Sequence, residues 1–177
     1  MNRRLTPALP PFQQGGLDSL CGLYSIVNAE RIINKSSDEQ AQELFNTMVR
    51  FLSKKRMLAR ILIEGVNHRQ MLLTMQQVVN GRLPTIAIPW RGVPTPDLDT
   101  FWQSMQAFLD GTPGRAIILG LNGYHDHWTV IDNITSKSIF LYDSAEIPRL
   151  RRSRCSTAKH RRKHLLMPAQ TYFLSRN

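Results

Sequence analysis

Three stretches decide the fold: Ala116-Ile117-Ile118-Leu119, His127-Trp128-Thr129-Val130-Ile131-Asp132-Asn133 and Ser138-Ile139-Phe140-Leu141-Tyr142-Asp143. The first is a short apolar run that reads as a buried strand. The other two flank a polar turn, Ile134-Thr135-Ser136-Lys137, and read as an antiparallel hairpin. Tyr172-Phe173-Leu174 supplies a last strand. Before Gly111 the apolar period is helical instead. Leu23, Ile26, Val27 and Ile33 lie at helical spacing in a helix begun by Asp18 or Ser19 as cap, with Cys21 in its first turn. A second helix starts at Ser36 or Ser37, where Glu39 or Gln40 completes a capping box, and buries Ala41, Leu44, Phe45, Met48 and Leu52. A third spans about Asn67 to Val79 and stops at Asn80-Gly81. Leu83 to Pro89 reads as a short strand. Thr95-Pro96-Asp97 opens a fourth helix with Pro at its first position, and Gly111 closes it. Helices first and an antiparallel sheet after them make an α+β chain.

With 177 residues, the chain fits one domain over residues 1–177 with a real core. Residues 1–12 read as an extended arm and 149–164 as a basic segment. At 42% hydrophobic and 8% aromatic residues the composition is globular rather than disordered. No apolar run reaches the roughly 20 residues of a membrane span. The basic N-terminus is followed by no apolar stretch of a secretory signal, so a cytoplasmic setting is expected and no membrane partner. The net charge of +10 is concentrated, because eight basic residues and no acid fall between Arg149 and His164. That segment reads as a solvated loop able to dock an acidic protein surface or nucleic-acid phosphates. Arg50, Lys54, Lys55, Arg56 and Arg60 recur at helical spacing and are read as extending the same patch. The two cysteines, Cys21 and Cys155, lie in unlike surroundings and suggest free thiols in a reducing environment.

Cys21 is the residue with a chemical context. At a helix N-terminus a thiolate is favoured by the dipole, and the free backbone N–H groups there can hold an oxyanion. Gln14, or Gln13 in its place, can add a side-chain donor. A thiol nucleophile also needs a base held by a third group. If the hairpin turn centres on Thr135, His127 lies opposite Asp143, Thr129 opposite Leu141 and Ile131 opposite Ile139, so imidazole and carboxylate share a face. A shift of one residue would separate them. His125 is the competing base, and Asp126 and Asp132 are the competing carboxylates; both acids are read as turn or surface residues. Trp128 beside the base can shield the pair from water or line a substrate site, or simply fill the core. His125, His127 and Asp143 as metal ligands are the minor alternative, since no further clear ligand or CxxC pair accompanies them. No metal or cofactor is expected. His68, His160 and His164 read as surface residues, and Cys155, among arginines, as an incidental thiol of lowered pKa.

The run from Gln13 to Ser25, with Gln13-Gln14-Gly15-Gly16 before Leu20-Cys21-Gly22, resembles the nucleophile segment of papain-like cysteine peptidases, closest to the bacterial C39-like branch. His127-Trp128-Thr129-Val130 resembles that superfamily's histidine strand and Tyr142-Asp143-Ser144 its third-member strand. The resemblance implies a papain-like fold and a cysteine peptidase with Cys21, His127 and Asp143 as triad. One position departs: the oxyanion glutamine usually stands six residues before the cysteine, where this chain has Gly15, and Gln14 stands seven before. Several small bacterial proteins with such motifs resemble toxins delivered into competing cells or hosts. By that likeness the chain acts on a protein substrate in a target-cell cytosol, arrives by a signal-independent route, and meets an inhibitor or immunity protein. Two rival readings stand beside it: a deamidase or transglutaminase using the same triad, and a non-catalytic basic nucleic-acid-binding module.

Overall fold

The structure is a computed structural model and describes residues 9–79, 85–110, 112–158 and 163–176. Its helices are α1 (Cys21–Asn34), α2 (Asp38–Lys54), α3 (Leu58–Glu64), α4 (His68–Val78) and α5 (Leu98–Leu109). Local sequence sets most of their starts. Ser37 and Gln40 form a reciprocal capping box on α2, and Asn67 and Gln70 form another on α4. Asp97 caps α5 through the Thr100 N–H, so Pro96 precedes the cap and is not the first helical residue. The expected cap of α1 is corrected as well. Leu20 holds the N-cap position without a side-chain hydrogen bond, and Asp18 instead accepts from the N–H groups of Leu20 and Gly15 to shape the loop before it. That leaves the first N–H groups of α1 without a capping side chain. The seven residues of α3 escaped the periodicity reading because only Ile61 is buried. Phe45, expected in the α2 stripe, is half-buried and packs its ring against Tyr24.

The strands are β1 (Thr85–Ala87), β2 (Arg115–Gly123), β3 (His127–Ile134), β4 (Ser138–Tyr142), β5 (Arg149–Arg151), β6 (Cys155–Ser156), β7 (His164–Leu166) and β8 (Tyr172–Ser175). Their order is β1-β8-β2-β3-β4-β5, antiparallel throughout, with β7 pairing the outer half of β2 and β6 running parallel to β7. The chain is therefore α+β, as its order of elements implied. The helices do not all share one side. Leu23, Ile26, Met48 and Met75 pack with Ala116, Ile118, Val130 and Tyr142 on one face. Phe101, Trp102 and Met105 of α5 pack with Ile117, Leu119, Ile131 and Ile139 on the other. Residues alternating along β2 and β3 thus enter two cores, which explains why Ala116–Leu119 reads as continuous apolar sequence.

The hairpin register differs from the expected one. Thr135 N–H donates to the Ser138 carbonyl and Thr135 Oγ1 accepts from the Lys137 and Ser138 N–H groups, so the turn closes later than a turn centred on Thr135. Ile134 then faces Ile139 and Asn133 faces Phe140, an odd displacement that by itself would send Asp143 to the face opposite His127. A bulge that absorbs Asp132 intervenes. Beyond it Ile131 pairs with Leu141 and Val130 with Tyr142, an even displacement from the expected pairing. Continuing that ladder sets Asp143 level with Thr129, diagonal to His127 on the same face. The expected pairings of His127 with Asp143, Thr129 with Leu141 and Ile131 with Ile139 are thus each displaced, while the shared face survives.

The basic segment is not one solvated loop. Arg149 and Arg151 are exposed on β5 around buried Leu150. Arg152 lies over the Trp102 ring and pairs with Asp99 at 2.6 Å. Cys155 is buried, and burial raises its thiol to about 12, which corrects the expected depression. His164 is buried rather than superficial, stacked on His125 with ring centroids 5.3 Å apart. Residues 1–8 of the arm, Asn80-Gly81, Leu83-Pro84, Gly111, and Lys159, His160, Arg161 and Arg162 lie outside the described residues. Among the described residues no helix is long and apolar enough to cross a membrane.

Candidate active site

Cys21 is the first residue of α1 and His127 the first of β3. The helix head fits tightly against the sheet because Gly22 has no side chain: a Cβ there would fall 2.1 Å from Val66 Cγ1 and 3.4 Å from Trp128 Cδ1. Trp128 is fixed in turn by its indole N–H, which donates to the Val66 carbonyl at 2.8 Å, and by its tilted packing on Tyr172. Trp128 is therefore a core residue that also borders the site, at 7% exposure.

His127 is buried, and its Nε2 meets Asp143 Oδ1 at 2.7 Å. Burial alone would push the imidazole down. The Asp143 hydrogen bond, a hydrogen bond with Cys21 and the charges of both outweigh burial and lift it from 6.5 to about 9. Asp143 is buried too, and its Oδ2 accepts the N–H groups of Ala145 at 2.8 Å and Ile147 at 3.0 Å. Burial opposes its charge, yet the His127 hydrogen bond and charge and the Ile147 N–H hold it below its ordinary value of 3.8. The carboxylate is therefore kept ionised, and it fixes both the ring's orientation and its protonated form.

The two glutamines separate. Gln13 is exposed, and its amide donates to the carbonyls of Pro11 at 3.3 Å and Asp143 at 3.1 Å. Gln14 is half-buried, its Oε1 is shut from solvent without a partner, and among the described residues its amide N–H group has no hydrogen bond. Gln14 is thus the one with a donor to spare, and Gln13 is a structural tie. The rivals for base and orienter fall away on geometry. His125 is half-buried and pushed down by burial, then by the nearby charges of His127 and Lys163; its neighbours are the rings of Tyr124 and His164. Asp126 is exposed, and Asp132 sits in the bulge. Among the described residues no group of three or more His, Cys, Asp or Glu is gathered as metal ligands.

Beside His127 opens a cleft of about 140 Å³ between the end of α3 and the sheet. Glu64, Val66 and Asn67 line it together with Gly120, Leu121, Asp126, Trp128 and Gln170. Of this lining the sequence marked Trp128 as a substrate-site residue, and it missed Glu64, Val66, Gly120 and Gln170, because α3 and the residues after it carry no motif. The cleft is lined by His127 and not by Cys21; a cysteine whose proton can pass to a neighbouring imidazole can perform nucleophilic acyl transfer. Comparisons of the chain with protein-family models, with curated proteins and with solved structures return no match.

Proposed function

We propose that this chain is a cysteine peptidase of papain-like type, acting on a protein substrate through Cys21, His127 and Asp143. The observation that carries the proposal is the buried imidazole, with Asp143 Oδ1 2.7 Å from its Nε2 and Cys21 near enough to help Asp143 lift it to about 9. For attack the proton must sit on the ring and not on sulfur, so the reacting form is an imidazolium beside the Cys21 thiolate, with the proton held ready for the leaving amine.

The substrate carbonyl enters from the cleft. Cys21 Sγ bonds to its carbon, and the oxyanion is met by the uncapped N–H groups at the head of α1 and by the Gln14 amide. His127 gives its proton to the leaving amine as the C–N bond breaks, leaving a thioester on Cys21. Water then attacks the thioester carbon, His127 takes its proton, and the acid product departs as the sulfur is released. The same first half-reaction on a Gln or Asn side chain releases ammonia, so the products decide between cleavage and deamidation.

The test compares the proteome of cells expressing wild type with that of cells expressing Cys21→Ala. New protein termini found only with wild type support peptide cleavage and identify the target. A mass gain of about 1 Da at Gln or Asn without new termini would replace peptidase by deamidase. Identical proteomes in the two strains would count against catalysis.

A further inference from the structure

Residues 9–14 are held by polar side chains that no catalytic role explains. Asn28 of α1, fully buried, accepts the Phe12 N–H on Oδ1 at 2.9 Å and donates from Nδ2 to the Phe12 carbonyl at 3.2 Å. One side chain thereby satisfies both backbone groups of one residue, as a neighbouring strand would. One turn further along, Arg31 is 2% exposed; it donates to the Pro10 carbonyl at 3.1 Å and lies 4.1 Å over the Phe12 ring. Asp38 pairs with the same guanidinium. Burying an amide and a guanidinium is costly unless their partners are fixed, so both residues are committed to this stretch of arm.

The far side of the arm grips the sheet. Tyr142 donates its hydroxyl to the Leu9 carbonyl at 2.9 Å, the Gln13 amide reaches the Asp143 carbonyl at 3.1 Å, and the Gln14 N–H donates to the Ser144 carbonyl at 3.0 Å. Residues 9–14 therefore bridge the helix that begins at Cys21 and the loop that carries Asp143, with Gln14 at the end of the bridge.

We propose that Asn28 is a positioning residue, which splints the arm to α1 and so sets Gln14 against the thiol at the head of the same helix. The proposal rests on the cysteine-hydrolase reading. Asn28 lies seven residues beyond Cys21, on the same side of α1 by helical geometry, so the arm and the nucleophile are indexed to one rigid element. Asn28 acts through Gln14 and touches no reacting atom.

Two reactions of Cys21 isolate this role in the full chain. Acylation by p-nitrophenyl acetate passes through an oxyanion: the sulfur bonds to the acetyl carbon and p-nitrophenolate leaves. Alkylation by iodoacetamide displaces iodide and forms none. Asn28→Asp keeps the shape but sets an oxygen against the Phe12 carbonyl. It is expected to slow acylation by about 10²-fold, the loss associated with a misplaced oxyanion donor, with alkylation changed little. Tyr142→Phe, which removes only the hydroxyl at the other end of the arm, is expected to give a smaller loss of the same selectivity and serves if Asn28→Asp does not fold. Unchanged acylation in either folded variant overturns the proposal. So does a parallel fall of both rates, which would mean a merely structural role. A wild type whose Cys21 reacts with neither reagent overturns the hydrolase reading itself, a result distinct from both.

Discussion

At the scale of single residues, the imidazole of His127 is the pivot. Its affinity for a proton is raised by Asp143 and Cys21 against the pull of burial, and that sign fixes a pH dependence. A group whose folded value is raised contributes stability fully present below its ordinary 6.5 and lost as pH climbs through about 9. Asp143 runs the other way: its contribution is present above 3.8 and lost as pH falls through its lowered value. Hydrolysis is accordingly expected to fall on an alkaline limb near pH 9 as the imidazolium is lost, and a pH–rate profile on the substrate identified by its new termini measures it. In the same assay Cys21→Ala and His127→Ala are expected to abolish turnover and Asp143→Ala to lower it by up to about 10⁴-fold, since an orienting group shapes rather than performs the attack. Gln14→Ala is expected to cost about 2.7–4 kcal/mol of transition-state stabilisation; a greater loss from Gln13→Ala would transfer the oxyanion role to the wrong neighbour.

At the scale of elements, the site's hairpin carries an irregularity that the sequence pattern conceals. Alternation along β3 and β4 was legible, and so was the prospect that His127 and Asp143 would share a face. What alternation does not reveal is where the turn closes or that Asp132 is absorbed in a bulge. The hydrogen bonds of Thr135 displace the register by an odd step and the bulge returns it to an even one. Deleting Asp132 should therefore leave Ile131 facing Leu141 and Asn133 facing Phe140 in a regular ladder, with Asp143 still on the face of His127 and activity retained. Deleting Val130 would instead move His127 by one residue, turn it away from Asp143 and abolish activity. Asp132→Ala keeps the residue count and should retain most of it. Far-ultraviolet circular dichroism with thermal melts checks that the variants fold. The capping box of α2 was legible for the opposite reason, being wholly local, with Ser37 and Gln40 three residues apart. The equally local box of Asn67 and Gln70 on α4 went unread, though the helix start there was placed. The start of α1 was misassigned because Asp18 and Ser19 look like caps, yet Asp18 serves the preceding loop and Ser19 donates its hydroxyl to Ile63 of α3.

At the scale of the whole molecule, the chain brings residues 106 positions apart in sequence onto one imidazole, from a helix head and a strand start. The α+β class followed from the order of periodicities, whereas α5 on the second face followed only from how β2 and β3 divide their side chains between two cores. The environment of the cysteines was half legible. Cys21 was marked by its flanking residues, but Cys155 looked electropositive in sequence and is walled off from its arginines by burial. That contrast gives the most direct test of the central claim, that Cys21 and His127 form a reactive pair. Limiting iodoacetamide at neutral pH, read by intact mass and peptide mapping, should place a single adduct on Cys21, at a rate that drops sharply in His127→Ala, with Cys155 unlabelled. Equal labelling of the two cysteines, or a Cys21 rate indifferent to His127→Ala in a folded variant, would contradict the account.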